Sequence, residues 1–113
     1  MGENKMAITV HIYYSGPKGK AKAFTDEMIS RGIVDEIRKE KGNLGYEYFV
    51  PLQDEACILL VDSWDCQASL DLHHSSPMME KIIALREKYD LHMKVERYVS
   101  DELPATDKKF IKD

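Results

Sequence analysis

The sequence predicts one small, soluble α+β domain in which an antiparallel sheet is backed by helices. Three observations carry this. Residues 6–14 and 91–100 alternate from one side to the other with the two-residue period of a strand. Residues 20–41, and the segment that opens at Pro77, place apolar side chains three and four apart, the period of a helix lying on a core. The 113 residues suit a single domain, and 43 % apolar with 32 % charged residues is a globular balance, not a disordered one.

The elements follow in order. In the first strand Ile8, Val10 and Ile12 share one face, and Thr9, His11 and Tyr13 the other. Ser15-Gly16-Pro17-Lys18-Gly19 has turn chemistry. The helical pattern that follows pairs Phe24 with Met28 and Val34 with Ile37. Gly32 interrupts it, costing about 1 kcal/mol against alanine, which predicts a kink or two short helices. Gly42 then stands where a helix ends in a left-handed residue.

Residues 44–50 are rich in aromatics and stop at Pro51, so they predict a strand. The short polar link Gln53-Asp54-Glu55 predicts a hairpin with residues 56–64. Asp65 is placed to cap a short helix reaching His74. Ser76-Pro77 opens the next helix, with proline at a position whose N–H needs no partner. Its stripe is Met78, Ile82, Leu85 and Tyr89. The last strand is followed by a polar arm with Phe110 and Ile111 as its apolar anchors. The division expected is a domain over residues 1–100 and a C-terminal arm over 101–113.

The order βαββαβ predicts a ferredoxin-like antiparallel sheet with helices on one face. The third strand adds a demand. Ile58, Leu60 and Trp64 are apolar on one side, Cys57, Leu59 and Val61 on the other, and one layer of helices covers only one side. The second face is expected to pack on an identical chain in a two-fold homodimer.

Composition excludes several classes. A net charge of −4 without a basic patch argues against nucleic acid. The longest aliphatic run, Ile58-Leu59-Leu60-Val61, is too short to enter a membrane as a span. Residues 1–5 are polar, unlike a signal peptide, so a cytoplasmic setting is expected, with Cys57 and Cys66 reduced. Phosphate-binding glycine loops are missing, and adjacent His73 and His74 diverge by about 100° on a helix, too far to share an ion easily.

One constellation remains. Trp64, Leu70, His73, Ser76 and Pro77 form W-x5-L-x2-H-x2-S-P, and upstream stands Glu40-Lys41-Gly42-Asn43-Leu44-Gly45-Tyr46-Glu47-Tyr48. Together, in this element order, these stretches resemble the antibiotic biosynthesis monooxygenase family, small dimeric α/β barrels that include quinol monooxygenases. The resemblance spans roughly Ile8 to Val99. It implies a pocket between sheet and helices, lined by Trp64 and His73 with Asn43 near the rim. It also implies a small aromatic substrate, a quinol or phenol, oxidised with O2 without flavin or metal. His73 would be the base, Trp64 a flat wall with one N–H donor, and Tyr46, Tyr48, Leu70 and Met78 the substrate contacts. Plainer roles compete: a lone helical histidine is more often structural, Trp64 and the tyrosines can simply pack, and Asn43 after Gly42 suits a left-handed turn. Two other functions stay open. One is haem binding and degradation on the same fold with His73 as ligand, against which the first strand lacks an asparagine. The other is a non-catalytic dimeric module that binds a small ligand.

Overall fold

The computed structural model describes residues 6–112; the polar N-terminal stretch 1–5 and Asp113 lie outside the described residues. Its elements are β1 (Ile8–Ser15), α1 (Lys20–Ser30), α2 (Ile33–Arg38), β2 (Asn43–Phe49), β3 (Ile58–Trp64), α3 (Gln67–His74), α4 (Pro77–Lys88), β4 (His92–Val99) and α5 (Ala105–Lys108). The strands form one antiparallel sheet in the order β2-β3-β1-β4, the ferredoxin-like α+β arrangement.

Gly32 divides the predicted long helix in two because it takes a left-handed φ of +76°, which glycine alone adopts without penalty. Register then sorts the sheet into two faces. Ile8, Trp64 and Val99 lie in one row, Val10, Asp62 and Arg97 in the next, and Ile12, Leu60 and Val95 in a third. These residues face the helices, and the core forms there around Trp64, Tyr14, Tyr46, Phe24 and Met28, all with almost no exposure. Glu27 fastens α1 to α4, accepting hydrogen bonds from Lys88 Nζ at 2.8 Å and Tyr89 Oη at 2.5 Å.

The start of α3 differs from expectation. Cys66, not Asp65, is the capping residue, and it makes no side-chain cap. Asp65 instead accepts a hydrogen bond from Ser69 Oγ at 2.6 Å, and its N–H donates to the Gly42 carbonyl at 2.8 Å. This clamp holds the end of β3 against the turn before β2. Gly42 is indispensable to it: its φ is +83°, and a Cβ there would overlap both the Ser69 side chain and the Asp65 carboxylate. Gly42→Ala is therefore expected to cost about 2–3 kcal/mol, read as a lower urea midpoint at unchanged slope.

The opposite face of the sheet carries Tyr13, Leu59, Val61 and Phe49 beside Thr9, His11 and Ser63. Phe49 is 48 % exposed, and the others are partly so. Residues 101–112 are exposed throughout, including Phe110 and Ile111. Among the described residues no helix is long and apolar enough to cross a membrane.

Candidate functional site

The site grows from the alternation of β3. With a period of two, Leu60, Asp62 and Trp64 all point to the helix side. Trp64 is fully buried, and its Nε1–H donates to Asp62 Oδ1 at 2.7 Å. On α3 the three-residue spacing of Leu70 and His73 turns both inward, and both are buried. The His73 ring stacks on Trp64 with centroids 4.8 Å apart and planes 28° from parallel. Its Nδ1 lies 2.5 Å from Glu40 Oε1, a residue of the turn after α2. Ser76 Oγ donates to the His73 carbonyl at 2.7 Å, which ties the end of α3 into the start of α4.

Of these, Leu60, Asp62, Leu70 and His73 border a cavity of about 290 Å³ between the sheet and helices α3 and α4. Its walls are largely apolar, with Val10, Ile12, Leu60, Leu70, Met79 and Ile82 among them. An engineered apolar cavity of about 150 Å³ accepts benzene, so this one suits a substituted single ring or a compact bicycle. The polar groups on it are few: Asp62, His73, His74, Arg86, Arg97 and Tyr46. Arg86 donates to Tyr14 Oη through Nε and Nη2 at 3.1 and 2.9 Å, and Arg97 donates to Gln67 Oε1 at 2.6 Å. Neither arginine forms an ion pair among the described residues, so the cavity is cationic within an acidic chain.

Burial shifts the two central titratable groups in opposite directions. It pushes the His73 imidazole below its ordinary range, and the Glu40 carboxylate, which favours the charged form, only partly offsets that. It pushes the Asp62 carboxyl up to about 7, with the Trp64 N–H and Arg86 pulling the other way and Glu40 adding to the rise. Burial likewise holds the Tyr46 and Tyr48 phenols well above their usual range, so both are neutral.

Of the residues singled out in the sequence, the fold brings His73, Leu70 and Tyr46 to the cavity, with Trp64 directly behind His73. Asn43 is elsewhere: its Nδ2 donates to the carbonyls of Gly45 and Ser63 at 3.3 and 3.4 Å, pinning a bulge between β2 and β3. Tyr48 packs edge-on against Tyr46 and does not line the cavity. Met79 lines it in place of Met78, since neighbours on a helix point about 100° apart. His74 is exposed, yet stands at the cavity wall 5.7 Å from the His73 ring. Glu40, Asp62, Arg86 and Arg97 were not anticipated. Asp62 had a readable signal, because a carboxylate two residues before Trp64 must share its buried face.

A family model described as antibiotic biosynthesis monooxygenase matches residues 7–85. No curated protein matches the chain. Among solved structures, a conserved protein of Methanosarcina mazei Go1 is 22 % identical at a TM-score of 0.71, covering 83 % of this chain and 92 % of its own. A proposed antibiotic biosynthesis monooxygenase of Deinococcus radiodurans is 19 % identical at 0.74, covering 86 % and 95 %. Another, from Nitrosomonas europaea, is 14 % identical at 0.69, covering 93 % and 97 %. At these identities the likeness establishes a shared fold, while the family match spans most of the sequence and includes β3, His73 and the Ser76-Pro77 start of α4. The chain belongs to the antibiotic biosynthesis monooxygenase family.

Proposed function

We propose that this protein is a monooxygenase that oxidises a small electron-rich aromatic, a quinol or phenol, with O2 and without flavin or metal. The observation that carries the reading is buried His73 on a small, apolar-walled cavity, held from behind by the part-buried Glu40 carboxylate. With Nδ1–H committed to the Glu40 carboxylate, Nε2 keeps its lone pair and can take a proton from a substrate hydroxyl. The phenolate so formed is stabilised by the unpaired charges of Arg86 and Arg97 and is electron-rich enough to reduce dioxygen itself. One oxygen atom enters the ring and the other leaves as water, with all four electrons coming from the substrate, so a quinol is expected to give a hydroxylated quinone and a phenol a quinone.

Oxygen consumption should be measured across a panel of quinols and phenols with metal- and flavin-free protein. Consumption matched to product is the expected result. Turnover that appears only after a flavin or metal is added would overturn cofactor independence, and no turnover at all would overturn the reading.

The working form in this reading is a homodimer. Tyr13, Leu59, Val61 and Phe49 make a contiguous apolar area on the sheet face away from the helices, of the kind that a monomer rarely leaves open. Light scattering at micromolar concentration should give about twice the 13.0 kDa chain mass; a clean monomer would contradict this. The two free cysteines support a reducing, cytoplasmic setting.

A further inference from the structure

Asp62 is the buried carboxyl group that the base mechanism leaves unused. It sits at the centre of the sheet with Tyr46 opposite on β2, Val10 opposite on β1 and Arg97 one strand beyond on β4. His73 from α3 and Arg86 from α4 face it across the same cavity. The residue is 5 % exposed. Oδ1 accepts the Trp64 N–H, while Oδ2 has no hydrogen-bond partner among the described residues, and no cation lies within ion-pair distance of either oxygen. A carboxylate would be poorly served there; a carboxylic acid with its proton on Oδ2 is well served, since the cavity then holds a donor.

We propose that Asp62 is the acid that protonates the departing oxygen when the substrate-bound peroxide breaks, with His73 as the base of the same step. This rests on the function proposed above. The proton that His73 takes from the phenol first completes a hydroperoxide on a ring carbon that still bears hydrogen, which returns the imidazole to its basic form. His73 Nε2 then removes that C–H proton, and the electron pair of the C–H bond forms the new C=O. The O–O bond breaks, and the leaving hydroxide takes the Asp62 proton to become water. Imidazolium and carboxylate remain, and one proton passing between them through cavity water restores both. No outside reductant is needed, because the substrate is oxidised by as many electrons as dioxygen accepts. The opposite shifts of the two groups fit this division: burial keeps one neutral as a base and the other neutral as an acid at the same pH.

The test uses Asp62→Asn, which keeps an acceptor for the Trp64 N–H but has no acidic proton, and Asp62→Glu, which keeps the acid. With an accepted quinol, Asp62→Asn should form the hydroxylated quinone about a hundredfold more slowly, the middle of the range for a lost general acid. Most of the oxygen that it still consumes should appear as hydrogen peroxide. With no acid for its O–O bond, the hydroperoxide leaves the ring by C–O cleavage as HOO⁻ and takes up a proton, the substrate departing as the quinone without added oxygen. Asp62→Glu should recover the coupling of oxygen to product. Infrared spectra of the wild type should show a protonated-carboxyl band that titrates near neutral pH and is absent from Asp62→Asn. Full coupling in Asp62→Asn, or no such band in the wild type, would overturn the role of Asp62 and leave the base mechanism standing. A wild type that oxidises no quinol or phenol would overturn both.

Discussion

Replacing His73 by alanine is expected to lower kcat for an accepted quinol by at least about a hundredfold, within the range for a lost general base. The same change at His74 should alter kcat less than about threefold. The contrast is informative because the two rings are neighbours on one helix and both border the cavity, yet only His73 is buried and held by a carboxylate. Removing His73 also removes a ring stacked on Trp64 and leaves Glu40 without its partner. Thermal melts of both variants must therefore accompany the kinetics, with rates compared well below the lower midpoint. The pH profile adds a second check. Burial holds the folded imidazole below its ordinary value of 6.5, so the wild type should lose its rate on the acid side as His73 takes up a proton. With Asp62 as the acid, it should also lose its rate on the alkaline side as that carboxyl ionises through about 7. Equal rates for wild type and His73→Ala would make His73 a structural residue.

Asp62→Asn should make the protein more stable in alkali, an unusual outcome for changing a buried, hydrogen-bonded residue. The folded carboxyl ionises at about 7 and the unfolded one at 3.8. Between those values the folded chain holds a proton that the unfolded chain has released, so this group's contribution to stability falls as pH rises from about 4 to about 7 and is flat above. A separation of about three units corresponds to roughly 4 kcal/mol, an upper figure because the cavity admits water. Asparagine never ionises. The variant should therefore match the wild type near pH 4 and exceed it at pH 8 by about 2–4 kcal/mol, a rise in Tm on the order of 10 °C, measured at equal protein concentration. A variant less stable than the wild type by the same margin at both pH values would mean that Asp62 is an ordinary hydrogen-bond acceptor, ionised throughout.

What the sequence determined by itself is what depends on neighbours a few residues apart. Alternation in residues 6–14 and 91–100 identified two strands and their faces, and the short polar link at 53–55 marked residues 56–64 as a hairpin strand. The split at Gly32 followed from backbone chemistry, and the Ser76-Pro77 start of α4 from a missing N–H. The inward turn of His73 was legible for the same reason, since Leu70 and His73 are one helical turn apart. The pairing of His73 with Glu40 was not. The two residues are 33 apart in the chain, and only the packing of α3 against the turn after α2 joins them. The setting of Asn43 was not legible either: a bulge in β2, set by pairing with β3, carries its side chain onto backbone carbonyls, and it is not among the residues that line the cavity. Asp62 shows the limit most clearly. Its side of the strand could be counted, but its chemistry depends on desolvation by residues from β1, β2, α3 and α4 together, and solvent exclusion exists only once those elements have closed over it.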